Sequence, residues 1–136
     1  MIDKEIIKIA SNTENHGVLN NHTHFSKQKN AICGDEMKVY LIVKNDTIKQ
    51  FKYECESCIY CQASVSLLSR KVKNKPVQKI KAFAEQVIKC FEKNKNDFDK
   101  EWEEFDKIMK KNNISRKECL LLPINTTLDA LNKKAL

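Results

Sequence analysis

The sequence predicts an α+β fold, in which a small antiparallel three-stranded sheet has helices packed on one face. Residues 38–43 form a β-branched and aromatic run, and residues 48–54 alternate between two faces, as strands do. From Ala63 onward the apolar period changes from two to near 3.6, which is typical of helices. Strands that precede a series of helices favour a sheet with helices packed against it over alternating β/α units.

Each element has its own local signal. The Lys44-Asn45-Asp46 turn between the two confident strands predicts an antiparallel hairpin. Pro76 is typical of the first turn of a helix. The expected order is a helix at residues 5–10, an edge strand at 20–26, the hairpin, a helix soon after Cys58, a helix from Pro76 to Phe91, an apolar stripe of Phe98, Trp102, Phe105 and Ile108 on another helix, and a last helix from near Thr126 or Thr127.

Length and composition favour one domain over residues 1–136. The hydrophobic content of 41% is enough for a single modest core. The sequence contains no apolar run near the roughly 18 residues of a membrane span, and its N-terminus does not resemble a signal peptide. We therefore expect a cytoplasmic protein without a membrane partner, in which the six cysteines are free for metal or sulphur chemistry.

The net charge of +7 does not by itself predict a nucleic-acid partner. The lysines are scattered from Lys4 to Lys134 among acidic residues, and the basic, aromatic-rich strands of RNA-binding domains are missing. A solvated basic surface is the simpler interpretation, and such a surface can favour docking of an acidic protein.

Three residues are candidate metal ligands: Cys33 and Asp35 just before the hairpin, and Cys58 just after it. Because a hairpin begins and ends at the same end of a sheet, these residues should be neighbours. Two thiolates and one carboxylate can bind zinc or an iron–sulphur cluster, with the carboxylate as the weaker, exchangeable ligand. A helix N-terminus at Cys58 and Cys61 would favour their thiolate forms.

These residues resemble the NifU/IscU/SufU family of iron–sulphur cluster assembly scaffolds. The segment 30–39 around Cys33-Gly34-Asp35 is similar to the first cysteine loop of that family, and residues 51–68 around Cys58 are similar to its second. The long helical stretch after Cys58 resembles the SufU type. The resemblance implies a NifU-like fold and a protein that receives sulphur from a cysteine desulphurase. It further implies a site, formed by Cys33, Asp35 and Cys58, for a transient [2Fe–2S] cluster or zinc. In this site Cys33 and Cys58 would also be sulphur acceptors, with Cys58 the one we favour.

The third cysteine of the family is expected near the start of the last helix, where this sequence is interpreted as having Asn125. Asn is neutral and cannot replace a thiolate. Cys61, one helical turn beyond Cys58, is the preferred substitute ligand. Cys55 and Cys119 remain alternatives, although Cys119 is more typical of an inert buried thiol.

Two other functions stay open. One is a zinc-bound sulphur relay that does not assemble clusters, and the other is a thiol–disulphide oxidoreductase that uses the Cys58-x-x-Cys61 spacing. The expected partners are the desulphurase and recipient apoproteins, and self-association into a homo-oligomer is left open.

Overall fold

The computed structural model describes residues 4–31, 34–93 and 98–133. Within these ranges it is an α+β fold with a three-stranded sheet, as predicted. The elements, in chain order, are α1 (Lys4–Ala10), β1 (His24–Lys29), β2 (Glu36–Lys44), β3 (Thr47–Glu56), α2 (Ile59–Lys71), α3 (Val77–Lys93), two 3-10 segments (Lys100–Lys107 and Lys111–Arg116) and α4 (Lys117–Leu131).

The sheet has the order β1-β2-β3, and both pairs of strands are antiparallel. Asn45 and Asp46 connect β2 to β3 with positive φ angles of 53° and 57°, which is the backbone of a type I′ hairpin turn. At the other end of the sheet, Glu36 pairs with both Lys29 and Glu56. The loop entering β2 and the segment leaving β3 therefore lie side by side, as the hairpin argument predicted.

The two faces of the sheet have different neighbours. The inner face joins the helices in the main core, through Met37, Val39, Leu41, Phe51 and Tyr53. Among the described residues, the outer face carries a small cluster of Leu19, Tyr40 and Ile42, with Phe25 against it. The helices thus pack on one face, as expected from the sequence.

Helices α2 and α4 contact each other as well as the sheet. The buried Ser64 hydroxyl donates a 2.7 Å hydrogen bond to the Leu120 carbonyl oxygen, which fixes the position of α4 along α2. Polar contacts attach α4 to β1, where the Ser26 hydroxyl donates to the Asp129 carboxylate. None of the helices in the described ranges is long and apolar enough to cross a membrane.

Two predicted elements have different bounds or a different form. The edge strand lies at His24–Lys29 instead of 20–26, since its position is set by pairing with β2. The stripe around Trp102 forms 3-10 turns instead of an α-helix. There Trp102 stacks on Phe83 with ring centroids 4.2 Å apart, and it is fully buried. Stacking of Trp102 on Phe83 requires only that the apolar side chains point into the core. Short 3-10 turns orient these side chains inward as well as an α-helix does.

The prediction for the last helix is wrong, because α4 begins at Lys117 and not near Thr126. Pro123 lies inside the helix, where a proline removes one backbone hydrogen bond. A proline in a helix interior costs about 3 kcal/mol. The neighbouring side chains of Leu120, Leu121, Leu122 and Ile124 are all buried, and each contributes about 1.5–3 kcal/mol. Burial of this segment therefore outweighs the cost of the proline.

Candidate metal and sulphur site

Asp35 lies in the loop between β1 and β2, which closes on itself. The Asn30 N–H donates to the Asp35 carbonyl at 2.7 Å, and the Gly34 N–H donates to the Asn30 carbonyl at 2.8 Å. Gly34 has a φ of +77°, a conformation that residues with a Cβ rarely adopt. This tight turn places the Asp35 side chain, only 6% exposed, against the start of α2.

The Asp35 carboxylate is held on one side and unpartnered on the other. Its Oδ1 accepts a hydrogen bond from the Cys58 N–H at 3.2 Å. Its Oδ2 is buried and has no hydrogen-bond partner among the described residues. A buried carboxylate oxygen without a partner is energetically costly, so this atom fits the position of a ligand to a bound cation.

Cys58 is the N-cap residue of α2, with an extended backbone at φ −70° and ψ 168°. Its side chain is half-buried and makes no capping hydrogen bond. The unpaired N–H groups and the dipole at the N-terminus of this 13-residue helix stabilise negative charge that is bound close to Cys58.

Cys119 lies in the first turn of α4 and is 5% exposed. The starts of α2 and α4 are joined by the Arg116 guanidinium, which lies 5.2 Å from the centroid of the Tyr60 ring. Together with the bond from Ser64 to Leu120, this contact brings the N-terminal turns of the two helices to the same place.

The three side chains converge. The Asp35 carboxylate and the Cys58 and Cys119 thiols place one ligand atom each within 4.8 Å of one another. Ligand atoms around a tetrahedral zinc are about 3.7 Å apart, given Zn–S bonds of about 2.3 Å. The donor set and its spacing therefore fit zinc or an iron of an iron–sulphur cluster, with small side-chain movements.

Comparison with known proteins identifies the fold family. A model of the family "NifU-like N terminal domain" matches residues 1–99. The chain belongs to this family. The iron–sulphur cluster assembly scaffold protein IscU of Thermotoga maritima is 30% identical over 135 residues, covering 98% of this chain and 94% of that protein.

Two further relatives extend this result. A solved structure from Fervidobacterium islandicum AW-1, described as a SUF-system iron–sulphur cluster assembly scaffold, is 26% identical, covers 96% of both chains and has a TM-score of 0.86. The zinc-dependent sulphurtransferase SufU of Bacillus subtilis is 30% identical over 67 residues, 49% of this chain and 45% of that protein. The predicted resemblance to the NifU/IscU/SufU scaffolds is thus confirmed.

The structure brings Cys119, and not Asn125, to Asp35 and Cys58. The interpretation that placed the third family cysteine at Asn125 depended on a last helix that begins near Thr126, whereas α4 begins at Lys117 and has Cys119 in its first turn. Asn125 is exposed, more than one turn further along the same helix. Cys119 is buried, as expected, but it lies beside Asp35 and Cys58 and is not an isolated core thiol. The sequence signal is the change from charged residues at 116–118 to an apolar run from Cys119, close to the start of α4.

Cys33, Cys55 and Cys61 are the other cysteines that the sequence offered as ligands. Cys33 is outside the described residues, so its predicted role stays a prediction. Cys61 is fully buried, and it is not part of the convergent group in the described part of the chain. Burial raises the pKa of the Cys61 thiol, and the Ser57 hydroxyl lowers it to a smaller extent. Cys55 is half-buried at the end of β3, and burial raises its pKa too.

Proposed function

We propose that this chain accepts sulphur from a cysteine desulphurase and holds iron or zinc at a site formed by Asp35, Cys58 and Cys119. The observation that carries this proposal is the convergence of one carboxylate and two thiols within 4.8 Å, at the starts of two helices. In this proposal the [2Fe–2S] cluster is a cargo that the protein assembles and passes to recipient apoproteins. Zinc, if bound, is a resident ion at the same residues.

The donor types suit a site that must release what it binds. Thiolates bind zinc and iron strongly, whereas a carboxylate is a harder and weaker ligand for such ions. Asp35 is already positioned by the Cys58 N–H, and its unpartnered Oδ2 is available to a cation. Cys33 directly precedes Gly34 in the sequence, and we assign it the fourth ligand position on the basis of the family resemblance.

Exposure supports Cys58 as the sulphur acceptor. Cys58 is half-buried, while Cys119 is 5% exposed, so an incoming sulphur donor meets the Cys58 thiol first. Its sulphur would attack the outer sulphur of a donor persulphide, and the donor thiolate would leave with the electron pair of the broken bond. The net charge of +7 would favour association with an acidic surface on the donor.

Metal analysis and a sulphur-transfer assay test this function. The chain purified anaerobically should contain about one zinc or two irons, and Cys58→Ser should remove most of either. Incubation with a cysteine desulphurase and cysteine should add a sulphur atom to Cys58. If Cys58→Ser keeps its full metal and the wild type takes up no sulphur, the proposal fails. Reduction of insulin at catalytic rates would instead favour a thiol–disulphide oxidoreductase.

A further inference from the structure

Cys58 and Cys61 enclose the first turn of α2. Cys58 is the N-cap, and the Gln62 N–H donates to its carbonyl oxygen at 3.0 Å, so the turn between the two cysteines is closed. Cα atoms three residues apart on a helix are about 5 Å apart. Disulphides form between Cα atoms about 4.4–6.8 Å apart. The backbone of this turn therefore permits a bond between the two sulphur atoms.

The two thiols differ in access. Cys58 is half-buried and faces the site, whereas Cys61 is 0% exposed and packs in the main core. A reagent or protein donor from solvent can reach Cys58 but not Cys61. The chemistry of Cys61 is thus restricted to groups already inside the protein, and Cys58 is one helical turn away.

We propose that Cys61 is a resolving thiol that releases the sulphur carried by Cys58 as sulphide. This inference rests on the proposed function, in which Cys58 first receives a persulphide sulphur. The Cys61 sulphur attacks the inner sulphur of the Cys58 persulphide and forms a Cys58–Cys61 disulphide. The bond to the outer sulphur breaks, and that atom leaves as HS⁻ with the electron pair of the bond. This HS⁻ takes up the proton of the Cys61 thiol and becomes hydrogen sulphide.

The electrons balance within the chain. The outer sulphur gains two electrons as it becomes sulphide, and the two cysteine thiols lose two as they become a disulphide. Sulphide is thereby produced beside Asp35 and Cys119 without an external reductant in the first turnover. A low-molecular-weight thiol or a protein dithiol must then reduce the disulphide before Cys58 can bind metal or accept sulphur again.

Cys55 provides a matched control, because it also lies three residues from Cys58. The strand β3 continues through Glu56, and Cys58 itself has an extended backbone. Extended backbone rises about 3.3 Å per residue, so the Cα atoms of Cys55 and Cys58 should be roughly 10 Å apart. That separation is too long for a disulphide without movement of the strand.

The test loads the full, reduced chain with inorganic polysulphide under anaerobic conditions, followed by rapid desalting. Sulphide release is measured with time, and mass spectrometry examines the tryptic peptide of residues 53–70, which contains all three cysteines. The wild type and Cys55→Ser should release up to one sulphide per chain while this peptide loses two hydrogen atoms. Cys61→Ser and Cys61→Ala should keep the added sulphur on Cys58 and release sulphide at least about tenfold more slowly.

Two outcomes would overturn the inference: sulphide release by both Cys61 variants at the wild-type rate, or loss of release in Cys55→Ser. Equilibration of the unloaded chain in a glutathione redox buffer separates this inference from the proposed function. Failure to form the Cys58–Cys61 disulphide there rejects the resolving role, even if Cys58 accepts sulphur. Failure of every variant to take up sulphur on Cys58, with the disulphide forming normally, instead rejects the sulphur-acceptor function and with it the resolving step.

Discussion

Replacement of Cys119 by serine tests the third ligand directly. Zinc binding to a structural four-ligand site contributes about 10–16 kcal/mol, or about 2.5–4 kcal/mol for each ligand. At 1.4 kcal/mol for each factor of ten, the loss of one thiolate should weaken zinc binding roughly 10²–10³-fold. Within the described residues, no further cysteine or carboxylate belongs to the convergent group, so no substitute ligand is in place.

The assay is a competition between the protein and a chromophoric zinc chelator, under reducing and anaerobic conditions. Asn125→Ala is the matched control, since Asn125 is on the same helix, is exposed, and occupies the position first assigned to the third cysteine. It should bind zinc as tightly as the wild type. Circular dichroism and thermal unfolding of Cys119→Ser and Cys119→Ala separate a lost ligand from a lost fold, because Cys119 is buried.

Wild-type zinc affinity in folded Cys119→Ser would refute the assignment. A loss of affinity in Asn125→Ala as large as in Cys119→Ser would refute the argument from the position of α4. Cys61→Ser provides the remaining comparison: a loss as severe as that of Cys58→Ser would restore Cys61 as the ligand predicted from sequence.

Two further predictions concern stability. Gly34→Ala should lower the free energy of unfolding in urea by about 1–2 kcal/mol, because a residue with a Cβ is strained at a φ of +77°. The added Cβ would have no atom within 4 Å, so no steric clash adds to this backbone strain. An unchanged free energy of unfolding would contradict the prediction and mean that the loop relaxes. Hydrogen bonds from Lys133 and Ser26 hold the pKa of the Asp129 carboxyl below its ordinary value. The Asp129 carboxylate therefore stabilises the fold above about pH 4, and this stabilisation is lost as the pH falls through the lowered pKa. Asp129→Asn should therefore lose less stability than the wild type between about pH 5 and pH 2 in thermal unfolding, and identical acid-side curves would contradict this.

The sequence determined the hairpin of the sheet and the proximity of two of the three convergent residues. The alternating pattern of residues 38–54 and the turn at Asn45-Asp46 specify the hairpin locally, since strand period and turn chemistry depend only on neighbouring residues. The hairpin, in turn, places the loop that contains Asp35 beside Cys58, which lies two residues after the end of β3. For this reason the proximity of Asp35 and Cys58 followed from the order of elements alone.

The position of Cys119 was decided by tertiary structure. The expected start of α4 was near Thr126, whereas α4 begins at Lys117 and contains Pro123, a residue that locally disfavours a helix. Only the burial of the apolar side chains of this segment against α2 and the sheet outweighs that signal, and such burial depends on residues distant in sequence. The sequence alone therefore identified the family and predicted that Asp35 and Cys58 are neighbours, whereas the packing of α4 against α2 brought Cys119 to them.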